Sequence, residues 1–302
     1  MSGRVRKTRP DSQPFTVLVP LHNFNWDGND FSISTLFSIK RLPSLPDLSW
    51  CESALSKCDR NELSSVSHWL SFEQSPHDEL NQKEKLNIFL QTLWLVVPTK
   101  TQAKFRFEPP HQSGDGEHSC TRLLERFQWI NPQSKDKVET KHLKQMDRYV
   151  DPMISIYRAR KRLRNSLVLT HRGCTTIDWQ VAVVCLSAAA EGILTYERGR
   201  GITHRLGKSF ACLVETTLQR RDRAFKAFRH AYDVRSDIMH GRATQRRGPK
   251  KNLKEAARLS DMLRRLWKTI LASKVILTEL EKDDAGRKIW FTTLEKGYTP
   301  PP

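Results

Sequence analysis

An arginine and a histidine stand five positions apart in the segment Ala231-Tyr-Asp-Val-Arg-Ser-Asp-Ile-Met-His-Gly241. Arginine stays cationic at any working pH and holds a phosphate through two N–H groups while charge builds on its oxygens. Histidine exchanges a proton near neutrality and serves as general base or general acid. Arg235 and His240 are therefore the residue types that phosphodiester cleavage needs when the substrate supplies its own nucleophile, as RNA does with its 2′-hydroxyl. Spacing alone carries little weight, because a chain with 29 Arg and 10 His forms such a pair by chance.

Context adds to it. The pair closes an amphipathic stripe (Ala224, Phe225, Phe228, Ala231, Tyr232), and Gly241 follows directly as a helix-stop residue. Beyond it runs a polar loop, 241–252, with Arg242, Arg246, Arg247, Lys250 and Lys251 interrupted by Gly248-Pro249. Such a loop is suited to gripping RNA phosphates, and is otherwise a solvated connector. On a regular helix, five steps of about 100° set Arg235 and His240 roughly 140° apart. They share a site only if the helix frays at His240 or a second subunit completes it. A structural reading also stands: Arg235 pairs with Asp233, Asp237 or Glu191, and His240 caps the helix C-terminus, where a partly cationic ring is favoured.

The elements that must position these residues are helical. From about Lys137, apolar residues follow three- and four-residue steps (Leu143, Met146, Tyr149, Val150, Ile154, Tyr157). Further helices are expected over Ile177–Tyr196, with Thr176 or Asp178 as N-cap, and over Ile202–Leu218, Asp222–Met239 and Leu253–Leu280. Five helices joined by short turns make a bundle. The first part of the chain is mixed. Strands are expected at Phe15–Pro20, Phe31–Phe37 and Lys104–Glu108, while Lys83–Leu95 fits a short helix or a buried strand equally well. Arg41–Ser49 and Pro109–Gly116 read as connectors. The fold class expected is α+β: a mixed, strand-containing domain over 1–135, then an all-α bundle over 136–302.

Charge follows the same division. Residues 1–150 hold 20 basic and 18 acidic side chains, and residues 151–302 hold 31 and 15, so almost all of the formal +18 belongs to the second half. A field of that size favours a polyanionic partner. The longest apolar runs, Asn87–Pro98 and Val181–Leu194, are too short to span a bilayer, and Val17–Leu21 is too short for a signal-peptide core. The six cysteines lack zinc-ribbon spacing, and His111, His118 and Cys120 lack a fourth ligand, so no metal is expected. No Walker loop or dinucleotide-binding glycine fingerprint occurs, so no cofactor is expected either. A soluble, reduced, cytoplasmic protein without membrane contact is the expectation. The tryptophans Trp26, Trp50, Trp69, Trp94 and Trp129 read as core or interface residues.

At Tyr232–Gly241 the sequence resembles the HEPN superfamily, in its ApeA-like branch. The text fits the signature aromatic–x–x–Arg–Ser–x–x–x–His–Gly, and Val183–Leu194 carries Glu191 where that family embeds an acid in a helix. The resemblance covers roughly residues 140–280. Ser236 stands where many HEPN nucleases carry Asn, Asp or His. The resemblance implies a metal-independent endoribonuclease whose paired subunits form one cleft, leaving 2′,3′-cyclic phosphate and 5′-hydroxyl ends. His240 would transfer protons and Arg235 would hold the phosphate, while Glu191 either orients Arg235 or is a satisfied buried acid with no part in the chemistry. Anti-phage defence or toxin-like growth control is the implied setting, with the nearly neutral N-terminal domain as a sensor of an unknown trigger. The alternatives are a non-catalytic RNA- or protein-binding module and a helical dimerisation scaffold.

Overall fold

The computed structural model describes residues 14–42, 51, 55–108, 119–123, 137–176, 178–197, 201–242 and 249–300. They form two compact units, one holding the described residues of 1–127 and 135–150, the other those of 151–302. The layout is α+β: an antiparallel sheet unit precedes a helical bundle.

The sheet runs β2 (Asp30–Ile33), β3 (Phe37–Arg41), β4 (His68–Gln74), β1 (Phe15–His22), β6 (Phe105–Glu108) and β7 (Ser119–Arg122), with β5 (Gln102–Ala103) also paired to β1. Directly opposed residues share a face. Val17 lies opposite Phe72, and Val19 opposite Leu70, while Leu70 also faces Ile39. That face receives helix α2 (Gln82–Val96), whose Phe89 ring lies 5.6 Å from Phe37. On the other face Trp69, Phe105 and Phe107 pack with Leu63 of helix α1 (Lys57–Ser64). Trp26, Trp69 and Trp94 are buried; Trp50 and Trp129 lie outside the described residues.

Two ambiguities of the sequence resolve here. Lys83–Leu95 is helical, started by a reciprocal cap in which Asn81 accepts from the Glu84 N–H and Glu84 from the Asn81 N–H, each at 3.0 Å. Phe31–Phe37 is not one strand. It bends through Ser34, at φ +55°, into the hairpin of β2 and β3, and the Ser34 N–H donates to Asp147 at 2.7 Å. The connectors at 43–49 and 109–116 lie outside the described residues.

Helix α3 (Thr140–Ala159) contributes its first half to the sheet unit, where Trp26 Nε1 donates to Thr140 at 3.2 Å. The bundle unit continues with α4 (Lys161–Thr175), α5 (Trp179–Leu194), α6 (Ile202–Val214), α7 (Leu218–Met239), α8 (Pro249–Leu271), α9 (Lys274–Leu280) and α10 (Asp284–Leu294). This exceeds the five helices expected. The sequence pattern does not reveal α4, whose exposed side carries Lys161, Arg164 and Arg172, or α10, which exposes Ile289 while burying Arg287, and the long last helix breaks at Ser273, whose hydroxyl caps α9 at 3.3 Å. Asp178, not Thr176, caps α5, accepting from Gln180 N–H at 2.8 Å. Among the described residues no helix is long and apolar enough to cross a membrane.

Close helix packing rests on small residues. A Cβ at Gly192 of α5 would lie 2.4 Å from Ser166 Oγ of α4, and one at Gly207 of α6 would lie 3.0 Å from the Phe225 ring of α7. Phe210 and Phe228 stack at 4.9 Å between α6 and α7. Trp267 of α8 is fully buried and donates to Thr170 at 3.0 Å.

Candidate active site

Helix α7 carries the motif and α5 carries the acid, and the two helices touch. Tyr232 faces the core because it continues the stripe of Phe225, Phe228 and Ala231. Arg235 lies one turn further on and so emerges above the Tyr232 ring, with its guanidinium carbon 5.3 Å from the ring centre. Both reach the same oxygen of Glu191: the Tyr232 hydroxyl donates at 2.5 Å and Arg235 Nη2 lies at 3.3 Å. The guanidinium is thus held from below by an aromatic face and from one side by a carboxylate. About a third of its side chain remains open to solvent, at 32%.

The electrostatics follow from this packing. Burial and the Glu191 carboxylate both push the Tyr232 phenol above its usual range, outweighing the nearby Arg235. Tyr232 is therefore a neutral hydrogen-bond donor throughout the physiological range. Glu191 also lines a cleft of about 470 Å³ with Gly192, Thr195, Tyr196, Arg162 and Asp284, the last two paired at 3.0 Å.

Helix α7 stays regular to Met239 and ends in a complete C-terminal cap. The Gly241 N–H donates to the Ile238 carbonyl at 3.0 Å and the Arg242 N–H to the Asp237 carbonyl at 2.7 Å, with Gly241 at φ +68°. His240 is the last residue of the turn and is exposed. Its side chain makes no hydrogen bond or ion pair among the described residues. The helix does not fray before His240, so helix geometry sets Arg235, which meets α5, and His240 roughly 140° apart within one chain.

The other expected site residues divide. Arg242 is half exposed and lies 3.7 Å from Asp237. Arg246 and Arg247 lie outside the described residues. Lys250 and Lys251 do not belong to a loop as expected, because α8 already starts at Pro249; proline is pre-organised for a first helical position. The sequence places Tyr232 in the apolar stripe and in the signature, with no site role of its own. Its one-turn spacing from Arg235 was the available signal that both would meet one acid. Among the described residues no group of His, Cys, Asp and Glu is arranged to hold a metal. No family model, curated protein or solved structure matches the chain.

Proposed function

We propose that the chain is a metal-independent endoribonuclease of the HEPN type, acting as a homodimer in anti-phage defence or toxin-like growth control. The observation that supports this most is the buttressed Arg235: Glu191 and Tyr232 pin it at the helix end while leaving guanidinium N–H groups towards solvent. Pre-positioned cations aimed at developing charge are what phosphoryl chemistry rewards. The resemblance of Tyr232–Gly241 to the family signature supplies the reaction class.

In this mechanism the phosphate lies against Arg235. His240 takes the proton of the 2′-hydroxyl, O2′ attacks phosphorus, and the bond from phosphorus to O5′ breaks. The leaving O5′ takes a proton from His240 of the partner subunit. The products are a 2′,3′-cyclic phosphate and a 5′-hydroxyl. A second copy is needed because Arg235 and His240 of one chain project in different directions. The +16 of residues 151–302 draws RNA to this unit, and Arg242 stands beside the histidine.

The test expresses wild type, Arg235→Ala and His240→Ala in bacteria with and without phage challenge, following RNA ends and checking fold by circular dichroism. Cyclic phosphate ends from wild type alone support the reading. Intact RNA in every case overturns it. Salt-dependent RNA binding by all three would then mark a non-catalytic RNA-binding module.

A further inference from the structure

The sheet unit contains a second constructed site. At the end of β1, Leu21 and His22 pair with Ala103 and Gln102, the chain leaves the sheet at Asn23, and these residues open a cleft of about 630 Å³ with Ser67, Lys100 and Lys104. That volume suits a mononucleotide-sized molecule. We propose that this cleft binds a small phosphorylated organic molecule, with its phosphate on Lys100 and Lys104 and its polar body against His22 and the Asn23–Asn25 turn.

Three observations carry the proposal. The first is charge: two ammonium groups line the cleft against one carboxylate, Glu62, which Lys104 meets at 3.1 Å. The second is His22. It is 6% exposed, packs its ring 6.0 Å from Phe105, and its Nε2 has no hydrogen-bond partner among the described residues. A buried polar atom without a partner is costly unless something completes it. Burial, then Lys104, hold the imidazole at about 4, so the ring is neutral and its Nε2 gives or takes one hydrogen bond according to tautomer. The third is Asn23, held at φ +56° at the mouth of the cleft, a left-handed conformation that costs energy for a residue with a side chain and clusters at ligand sites. Lysine binds phosphate as a point charge, and two of them at one cleft favour a dianion over a carboxylate.

The experiment titrates the full-length protein with AMP, ribose 5-phosphate, adenosine and citrate, reading the His22 ring nitrogens by NMR and affinity by calorimetry. AMP and ribose 5-phosphate are expected to bind and shift the His22 signals, with adenosine and citrate weaker. Lys100→Ala/Lys104→Ala, whose side chains lie at the cleft rim, should lower that affinity by at least roughly tenfold. His22→Gln, which keeps a hydrogen-bonding group, is expected to retain part of it. Binding that the lysine variant leaves unchanged, or no His22 shift with either phosphate compound, overturns the proposal. Preferential binding of citrate overturns the phosphate assignment. RNA cleavage does not enter these readouts, so the site stands or falls apart from the nuclease reading.

Discussion

Tyr232 and Arg235, one turn apart on α7, converge on a single carboxylate oxygen of Glu191 on α5, at 2.5 and 3.3 Å. One acid therefore fixes both a core aromatic and a solvent-facing cation. Tyr232→Phe removes the only neutral donor of the three and leaves Arg235 less constrained. The variant is expected to lose about 1.5–3 kcal/mol of stability, the usual worth of a hydrogen bond to a charged group. Its RNA cleavage should fall, though less than in Arg235→Ala. Urea unfolding together with single-turnover cleavage checks both; unchanged cleavage in a folded Tyr232→Phe variant would show that the buttress has no part in activity.

Gly241 sits at φ +68° and its N–H closes the final turn of α7 directly after His240. A Cβ would meet no neighbour there among the described residues, and the cost of substitution comes from the positive φ. Gly241→Ala should cost about 1 kcal/mol and fray the turn that carries His240, whereas Gly241→Asn, which tolerates the left-handed region, should be nearly neutral. Thermal unfolding of the two variants ranks them.

Gly192 follows the acid and touches α4. A Cβ there would lie 2.4 Å from the buried Ser166 hydroxyl and an ordinary 3.7 Å from Ser166 Cβ, so Gly192→Ala must displace that hydroxyl from its buried position. The expected loss is about 1–3 kcal/mol, more than the helix propensity gained from alanine. Removing the obstructing oxygen in Ser166→Ala/Gly192→Ala should recover much of it. A double-mutant cycle with no positive coupling would sink this account.

His22 gives the sheet unit an acid sensitivity. Its folded-state value of about 4 lies below the ordinary 6.5, so the fold prefers the neutral ring. That contribution to stability is complete above about pH 6.5 and is lost as pH falls towards 4. NMR titration should find His22 well below the ordinary histidine value, with burial and then Lys104 opposing its protonation and Glu62 favouring it. In His22→Gln the loss of stability between those pH values should be shallower than in wild type.

Periodicity alone located the bundle, α7 and its glycine stop, because a buried helical face must repeat every three to four residues and a C-terminal turn needs a residue tolerant of positive φ. It likewise marked β1 and β6, since alternation reports a pleated, half-buried strand. Lys83–Leu95 stayed ambiguous because a segment buried all round has no polar face to reveal its period. The Ser34 turn was hidden by alternation that continued through it, α4 by its charged face, and α10 by an inverted pattern in which Ile289 is exposed and Arg287 buried. The chemistry divided in the same way. Local spacing singled out Arg235, His240 and Gly241, all on one stretch of chain. Which carboxylate Arg235 meets depends on how α5 packs against α7, a contact between residues 44 positions apart that only tertiary structure decides. The cleft around His22 is the same case, since its lysines and its imidazole come from strands and loops that the sheet alone brings together.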